Sequence, residues 1–200
     1  MKLVGRGAEA VLYMSEGNLV KERIEKGYRI KEIDTVLRKR RTRRESRILS
    51  KAKRAGVPTP NVLRTEEYKI VMEFIEGRRL KEMIGEVTEK ERNELAFEVG
   101  SLVGRLHSAG MIHGDLTTSN MIYRDRIYFI DFGLATHSKS VEDMAVDLHL
   151  LHQAYQSTHF AFLEGLWKNT VRGYGKEFEG CEAVLARLEK IRKRGRYSKR

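Results

Sequence analysis

The chain has 200 residues, with 39 Lys or Arg against 28 Asp or Glu, for a formal net charge of +11. Apolar residues are 40% and charged residues 34%, a mix that buries a core unaided, and the single Cys181 excludes an internal disulfide or a cysteine-rich metal centre. No apolar run approaches the ~20 residues of a membrane span and the N-terminus has no apolar signal core, so the expectation is a cytoplasmic protein without membrane contact.

Residues 1 to about 24 read as strand, turn, strand, with AVLYM and NLVKERI flanking the turn signal SEGN. Residues 28–55 carry helical periodicity, with Ile33, Val36 and Leu37 on one face and Ile48, Leu49 and Ala52 on another. AGVPTPNV stops that helix, and VLRTEEYKIVMEFIEG reads as two strands around a turn at Glu66 and Glu67. A more helical half starts at RRLKEMI. Its long helix opens with the capping-box pair Thr88 and Glu91, buries Leu95, Val99, Leu102, Val103 and Leu106, and ends at Gly110. MIH and GDLTTSNMIYRDRIYFIDFG then read as short strands with an RDR turn, and three further helices follow.

The positive charge is concentrated. Arg38–Arg44 has six basic residues of seven, and Lys190–Arg200 has seven of eleven. A run of charge is often only a solvated face, but two runs in one small chain point to a polyanion, nucleic acid first, because clustered cations release counterions from phosphates.

The chemistry-bearing residues come in a fixed order. A Gly-rich turn, GRGAEA (Gly5, Arg6, Gly7, Ala8, Glu9, Ala10), lies between strands. Lys21 follows on the next strand, and Glu45 on the helix; Asp34 and Glu45 are the only acids between Ile33 and Thr65. A strand ends in MEF, and then come HGDLTTSN (His113–Asn120) and IDFG (Ile130–Gly133). Single pieces of this set are weak signals, but the whole set in this order resembles the eukaryotic-type protein kinase superfamily over residues 1 to about 150.

That resemblance implies an α+β, bilobal kinase-like fold that binds ATP and Mg²⁺. The N-lobe is expected over residues 1–75, a reduced C-lobe over 76–188 and a basic tail over 189–200. Glycines let backbone N–H groups approach phosphates. Leu12 and Leu19 roof the adenine, Met72 guards the back of the pocket, Glu73 and Ile75 offer backbone groups to the adenine edge, and Ile122 joins the nucleotide-contacting set. Glu45 orients Lys21 onto the phosphates. Asp115 accepts or orients the proton of the attacking hydroxyl, while Asn120 and Asp131 ligate the metal. His113 supports the loop. Asp147, an acid among apolar residues of a helix, holds the catalytic-loop backbone and is structural.

The pattern then departs from an ordinary protein kinase. Only 16 positions separate Asp131 from Asp147, no APE follows, and residue 117 is Thr where protein kinases usually carry Lys. ATP chemistry is supported, and docking of a peptide substrate is not. These departures resemble the small atypical kinase of the KEOPS (EKC) complex, the p53-related protein kinase family of archaea and eukaryotes. The resemblance rests on VKERIEKGYR, LRKRRTRRE, AGVPTP, HGDLTTSN, IDFGLA, VEDMAVDLHLL, Ser157–His159 and the RGR at Arg194–Arg196. It implies a non-specific serine/threonine kinase and ATPase that autophosphorylates and supports threonylcarbamoyladenosine formation on tRNA. Implied partners are the threonylcarbamoyltransferase subunit, the other KEOPS subunits, and tRNA held by the two basic runs.

Three readings compete. A free-standing RIO-type kinase is also short and lacks APE, but its Gly-rich loop and DFG region usually differ. An aminoglycoside-type phosphotransferase shares HGDxxxxN, but needs an acidic C-terminal pocket where this chain is basic. A non-catalytic tRNA scaffold must ignore Lys21, Glu45, Asp115, Asn120 and Asp131 together.

Overall fold

The computed structural model describes residues 2–197. The N-terminal lobe is a five-stranded antiparallel sheet in the order β1-β2-β3-β5-β4. Its strands are β1 (Lys2–Arg6), β2 (Ala10–Ser15), β3 (Asn18–Arg23), β4 (Val62–Thr65) and β5 (Lys69–Met72). β1 is a third N-terminal strand beyond the two read from sequence. The turn from β2 to β3 needs a positive φ, which Glu16 (52°) and Gly17 (77°) supply. Register sets Leu12 opposite Lys21 and Lys21 opposite Ile70, so Lys21 lies mid-sheet between two paired strands.

Helix α1 (Lys31–Arg54) packs on this sheet. Its later inward face is the expected one, with Ile48, Leu49 and Ala52 at most 1% exposed. Its first half overturns the expectation: Ile33 and Val36 are 52% and 62% exposed. The inward positions there are polar, Asp34 and Thr42, followed by Glu45. Asp34 is held by Arg38 Nε at 2.6 Å and Arg29 Nη1 at 3.5 Å, which compensates its burial.

The second lobe begins with β6 (Arg78–Arg79) and α2 (Leu80–Met83), followed by α3 (Glu89–Ser108), β7 (Met111–Ile112), β8 (Met121–Tyr123) and β9 (Ile127–Phe129). After it come β10 (Thr136–His137), α4 (Val141–Thr158), α5 (Leu163–Glu177) and α6 (Cys181–Tyr197). The capping box of α3 forms as expected: Thr88 accepts from the Glu91 N–H and Glu91 reaches back to the Thr88 N–H. α3 and α5 cross closely at two glycines. A Cβ on Gly100 would lie 1.9 Å from Thr170 O, and one on Gly173 would lie 2.0 Å from Phe97 O. One buried cluster joins the lobes, running from Ile48 and Leu49 of α1 through Leu106 of α3 to Leu151 of α4.

α6 carries the buried Leu188 and packs the half-buried Ile191 against this core. Helical structure therefore continues through Tyr197 rather than giving way at residue 189 to a separate tail. Residues 198–200 of the expected tail lie outside the described residues.

Candidate active site

The Gly-rich turn is shorter than GRGAEA suggests. Gly5 and Arg6 belong to β1 and Ala10 to β2, leaving Gly7, Ala8 and Glu9 as the turn. Gly7 N–H closes it by donating to Ala10 O at 2.9 Å. The Glu9 carboxylate is engaged from outside, by Arg29 Nη2 at 3.2 Å and Arg41 Nη1 at 2.8 Å. Burial works against its ionisation, but the hydrogen bond and charge of the two arginines prevail and hold it below the usual carboxylate range.

Under this turn the lobes meet in a cleft. Leu12, Leu19, Met72, Glu73, Ile75 and Ile122 line its inner end, together with Lys21, Glu45, Asn120 and Asp131. The same wall includes Pro60, Phe74, Arg79, Ser119 and Ile130, which sequence reasoning missed. The outer end is lined by Gly7, Ala8, Glu9, Ala10, Arg23, Arg41 and Asp115.

Lys21 is the hub. Its Nζ lies 2.6 Å from Glu45 Oε1 and 2.6 Å from Asp131 Oδ1, so one ammonium joins β3, α1 and the DFG segment. Burial opposes its charge, yet the two carboxylates raise its pKa above the ordinary 10.5. Burial likewise pushes Asp131 upward, but Lys21 outweighs it and the carboxyl lies below 3.8. Asp131 has φ +59°, a left-handed conformation costing a non-glycine residue about 1 kcal/mol, and its Oδ1 also accepts the Gly133 N–H at 3.2 Å.

The opposite wall is held just as tightly. Asp147, fully buried, accepts the main-chain N–H groups of His113 and Gly114 at 2.8 Å each and His107 Nε2 at 3.2 Å. Gly114 has φ +79°, and a Cβ there would lie 2.8 Å from Leu134 O. The His113 ring is buried, which lowers its pKa and keeps it neutral. Its Nδ1 accepts the Asp115 N–H at 3.3 Å and its Nε2 donates to Ile130 O at 3.2 Å, bridging the HGD and IDFG segments. Asn120 Nδ2 donates to Asp115 Oδ2 at 2.8 Å and to Asp115 O at 3.0 Å. Thr118, one turn along, meets His159 Nε2 at 3.1 Å, which ties the Ser157–His159 segment to this loop. Ser140 caps α4 by accepting the N–H groups of Glu142 and Asp143, and Ser138 donates to Asp143 Oδ2 at 2.6 Å.

The basic run 38–44 splits in two. Arg38 and Arg41 turn inward to Asp34 and Glu9. Arg40, Arg43, Arg44 and Arg47 share an outer groove with Lys39, Lys51 and His137. Among the described residues these four arginines form no salt bridge.

Comparison with known proteins gives the class first. The RIO domain family matches residues 13–162, three quarters of the chain. This is a RIO-domain, kinase-like protein. The Rio2 kinase–ADP/Mg²⁺–phosphoaspartate complex from Chaetomium thermophilum superposes with a TM-score of 0.62 at 14% identity, over 96% of this chain and 72% of that one, which shows the shared fold. The match begins at residue 13, after the Gly-rich turn. The KEOPS complex subunit Bud32 of Pyrococcus abyssi is 47% identical over 100% of this chain and 98% of its own length. The chain belongs to the Bud32 family. The probable bifunctional tRNA threonylcarbamoyladenosine biosynthesis protein of Methanosarcina acetivorans is 50% identical over 96% of this chain, which spans about a third (35%) of that longer protein.

Proposed function

We propose that this protein is an ATP-dependent atypical serine/threonine kinase and ATPase that serves threonylcarbamoyladenosine formation on tRNA as a subunit of the KEOPS complex. The observation that carries the reading is the Lys21 bridge, one ammonium within 2.6 Å of both Glu45 and Asp131. A structural ion pair needs two partners. A lysine shared by a helix glutamate and a DFG aspartate at a lobe junction is an assembled phosphate-binding site. The name of the Methanosarcina relative supports the tRNA role, and that of the Pyrococcus relative supports membership of the complex.

The residues have distinct tasks. Leu12, Leu19, Met72 and Ile122 sandwich the adenine, while backbone groups of Glu73 and Ile75 meet its edge. Lys21 pairs with the α- and β-phosphates, and the N–H groups of Ala8 and Glu9, within the turn that Gly7 closes, cap them. Asp115, oriented by Asn120 and by its own N–H on His113, receives the proton of the attacking hydroxyl or water. The donor set suits Mg²⁺, which takes one or two protein oxygens beside phosphates and water. Asp131 keeps Oδ2 uncommitted and Asn120 keeps Oδ1 uncommitted among the described residues, and these two would hold it. When bound, the ion offsets the negative charge of the phosphates. The span from Asp131 to Asp147 has no peptide-docking segment, which favours water or a nearby serine of the complex itself as acceptor. The outer arginine groove of α1 supplies the cationic surface for tRNA.

The test follows γ-labelled ATP with the purified protein and its threonylcarbamoyltransferase partner, with and without tRNA, resolving free phosphate from phosphoprotein. Phosphate release that rises with tRNA and vanishes in Asp131→Ala is the expected result. Label accumulating on protein irrespective of tRNA would overturn the ATPase reading.

A further inference from the structure

Arg23 has no role in the chemistry described so far, yet its position is unusual. It lies two residues after Lys21 on the same face of β3, opposite Ala10 at the end of the Gly-rich turn. It is only 5% exposed. Its Nη2 lies 2.5 Å from Glu45 Oε2, the carboxylate oxygen that Lys21 leaves free. Its Nε is buried without any hydrogen-bond partner, and Nη1 meets no protein acceptor among the described residues. A guanidinium brings five donors, and leaving several unused in a buried site is costly unless a ligand takes them up. The residue lines the outer cleft that also holds Lys21, Asp115, Asp131 and Gly133. A Cβ on Gly133 would be 3.5 Å from Arg23 Nη2 and 3.6 Å from Lys21 Nζ, so the two cations stand side by side at the DFG turn.

Among the described residues, the second-lobe lining of the outer cleft, Asp115, Asp131, Gly133 and Leu134, carries no cation; Arg79 lies at the inner end. Residue 117, two beyond Asp115, is Thr where ordinary protein kinases carry a lysine on the transferring phosphoryl group. Glu45 serves two cations with one carboxylate. Were Asp131 to hold a metal ion, the group of Lys21, Arg23 and Glu45 would carry a net charge of +1. That charge faces the outer cleft.

We propose that Arg23 is a catalytic residue that binds the γ-phosphoryl group during transfer, replacing from the N-lobe the cation absent at Thr117. In hydrolysis, a water oxygen forms a bond to the γ-phosphorus. The bond from that phosphorus to the β,γ-bridging oxygen breaks, its electron pair stays on ADP, and the water proton passes to Asp115. Negative charge grows on the bridging oxygen and is spread over the γ-oxygens, which are the atoms a guanidinium at the outer cleft reaches. This assignment rests on the nucleotide cleft proposed above.

The experiment measures steady-state ATP hydrolysis and ADP binding by the purified full chain with its partner, for Arg23→Lys, Arg23→Met, and Arg23→Met combined with Thr117→Lys. Arg23→Lys keeps the charge beside Glu45 but shortens the reach. The expected result is a kcat loss of about 100-fold in both single variants, with ADP affinity and KM for ATP changed less than about threefold. Thr117→Lys then recovers at least about tenfold of the kcat lost in Arg23→Met, since it returns a cation to the γ-phosphoryl group from the other wall. If Arg23 merely holds Glu45, Arg23→Lys is near wild type, Arg23→Met loses ADP affinity along with kcat, and Thr117→Lys recovers nothing; that pattern overturns the assignment. Lys21→Ala, run in parallel, separates the two levels. Turnover abolished by Lys21→Ala but indifferent to Arg23 removes only this assignment, whereas turnover indifferent to both removes the cleft as the site of hydrolysis.

Discussion

Asp147 on α4 accepts the main-chain N–H of His113 at 2.8 Å and so fixes the start of the HGDLTTSN loop from a helix 34 residues away in sequence. Its other oxygen takes the next N–H, that of Gly114, at the same distance. His107 completes the set: its Nε2 donates to Asp147, which leaves Nδ1 to accept from the Tyr174 hydroxyl at 2.9 Å. An Asn at 147 would turn an NH₂ toward one of three donors. Asp147→Asn should therefore cost about 3 kcal/mol of stability and lower kcat at least about tenfold with the Asp115 side chain intact. Urea unfolding and ATP turnover on the same preparation check both halves.

The Lys21–Asp131 pair predicts a pH window. Asp131 titrates below its ordinary 3.8 in the folded protein, so its contribution is complete above that value and is lost as pH falls through the lower folded pKa. Lys21 titrates above 10.5, so its contribution is complete below that value and is lost as pH rises beyond it. The stability difference between wild type and Asp131→Asn should be flat from about pH 5 to about pH 10 and shrink at both ends. With Asp131 half exposed, that difference is small, and thermal melts across pH are the suitable measurement. A difference that grows on acidification would refute the bridge.

The two halves of the basic run should separate experimentally. Replacing Arg40, Arg44 and Arg47 with Ala should reduce the slope of log affinity for tRNA against log salt by about 2 to 3 and leave the melting temperature in place. Arg38→Ala should do the opposite. It strips Asp34 of its 2.6 Å partner, leaving a fully buried carboxylate with Arg29 at 3.5 Å, and should destabilise the fold by about 3 kcal/mol without altering the salt slope.

Gly100→Ala tests the crossing of α3 and α5. The new methyl would sit 1.9 Å from Thr170 O, and main chain cannot yield as a flexible side chain can. The expected loss is about 3 kcal/mol or more, read as a lowered unfolding midpoint. The exposed Gly85, where an added methyl would meet nothing within 4 Å, should tolerate the same change.

Legibility in the sequence followed how local each requirement is. HGDLTTSN and IDFG could be read because phosphoryl chemistry demands particular residue types at short fixed spacings. Glu45 could be read because it is a lone acid among arginines, a local oddity. Arg23 could not: its partner lies 22 residues away, and in sequence it is one more cation in a basic chain. The first half of α1 failed for the same reason. Its inward face is made of Asp34 and Thr42, and burying Asp34 is possible only because Arg29 and Arg38 arrive from either side. Periodicity counts apolar residues, so it chose Ile33 and Val36, which face solvent. The continuation of α6 past residue 189 was hidden because charge suggests a loose tail, while Leu188 and Ile191 anchor that turn to the core.

The stretch between Asp131 and Asp147 leaves almost no slack. Ala135 is buried, Thr136 and His137 pair with Ile112 and Met111, and Ser140 already caps α4. In kinases regulated through this region, a long loop refolds between idle and working arrangements. Here there is too little chain to thread two ways. A segment pinned at Ala135, Thr136, His137 and Ser140 has one path, so the distance from the DFG turn to α4 is set by the fold itself.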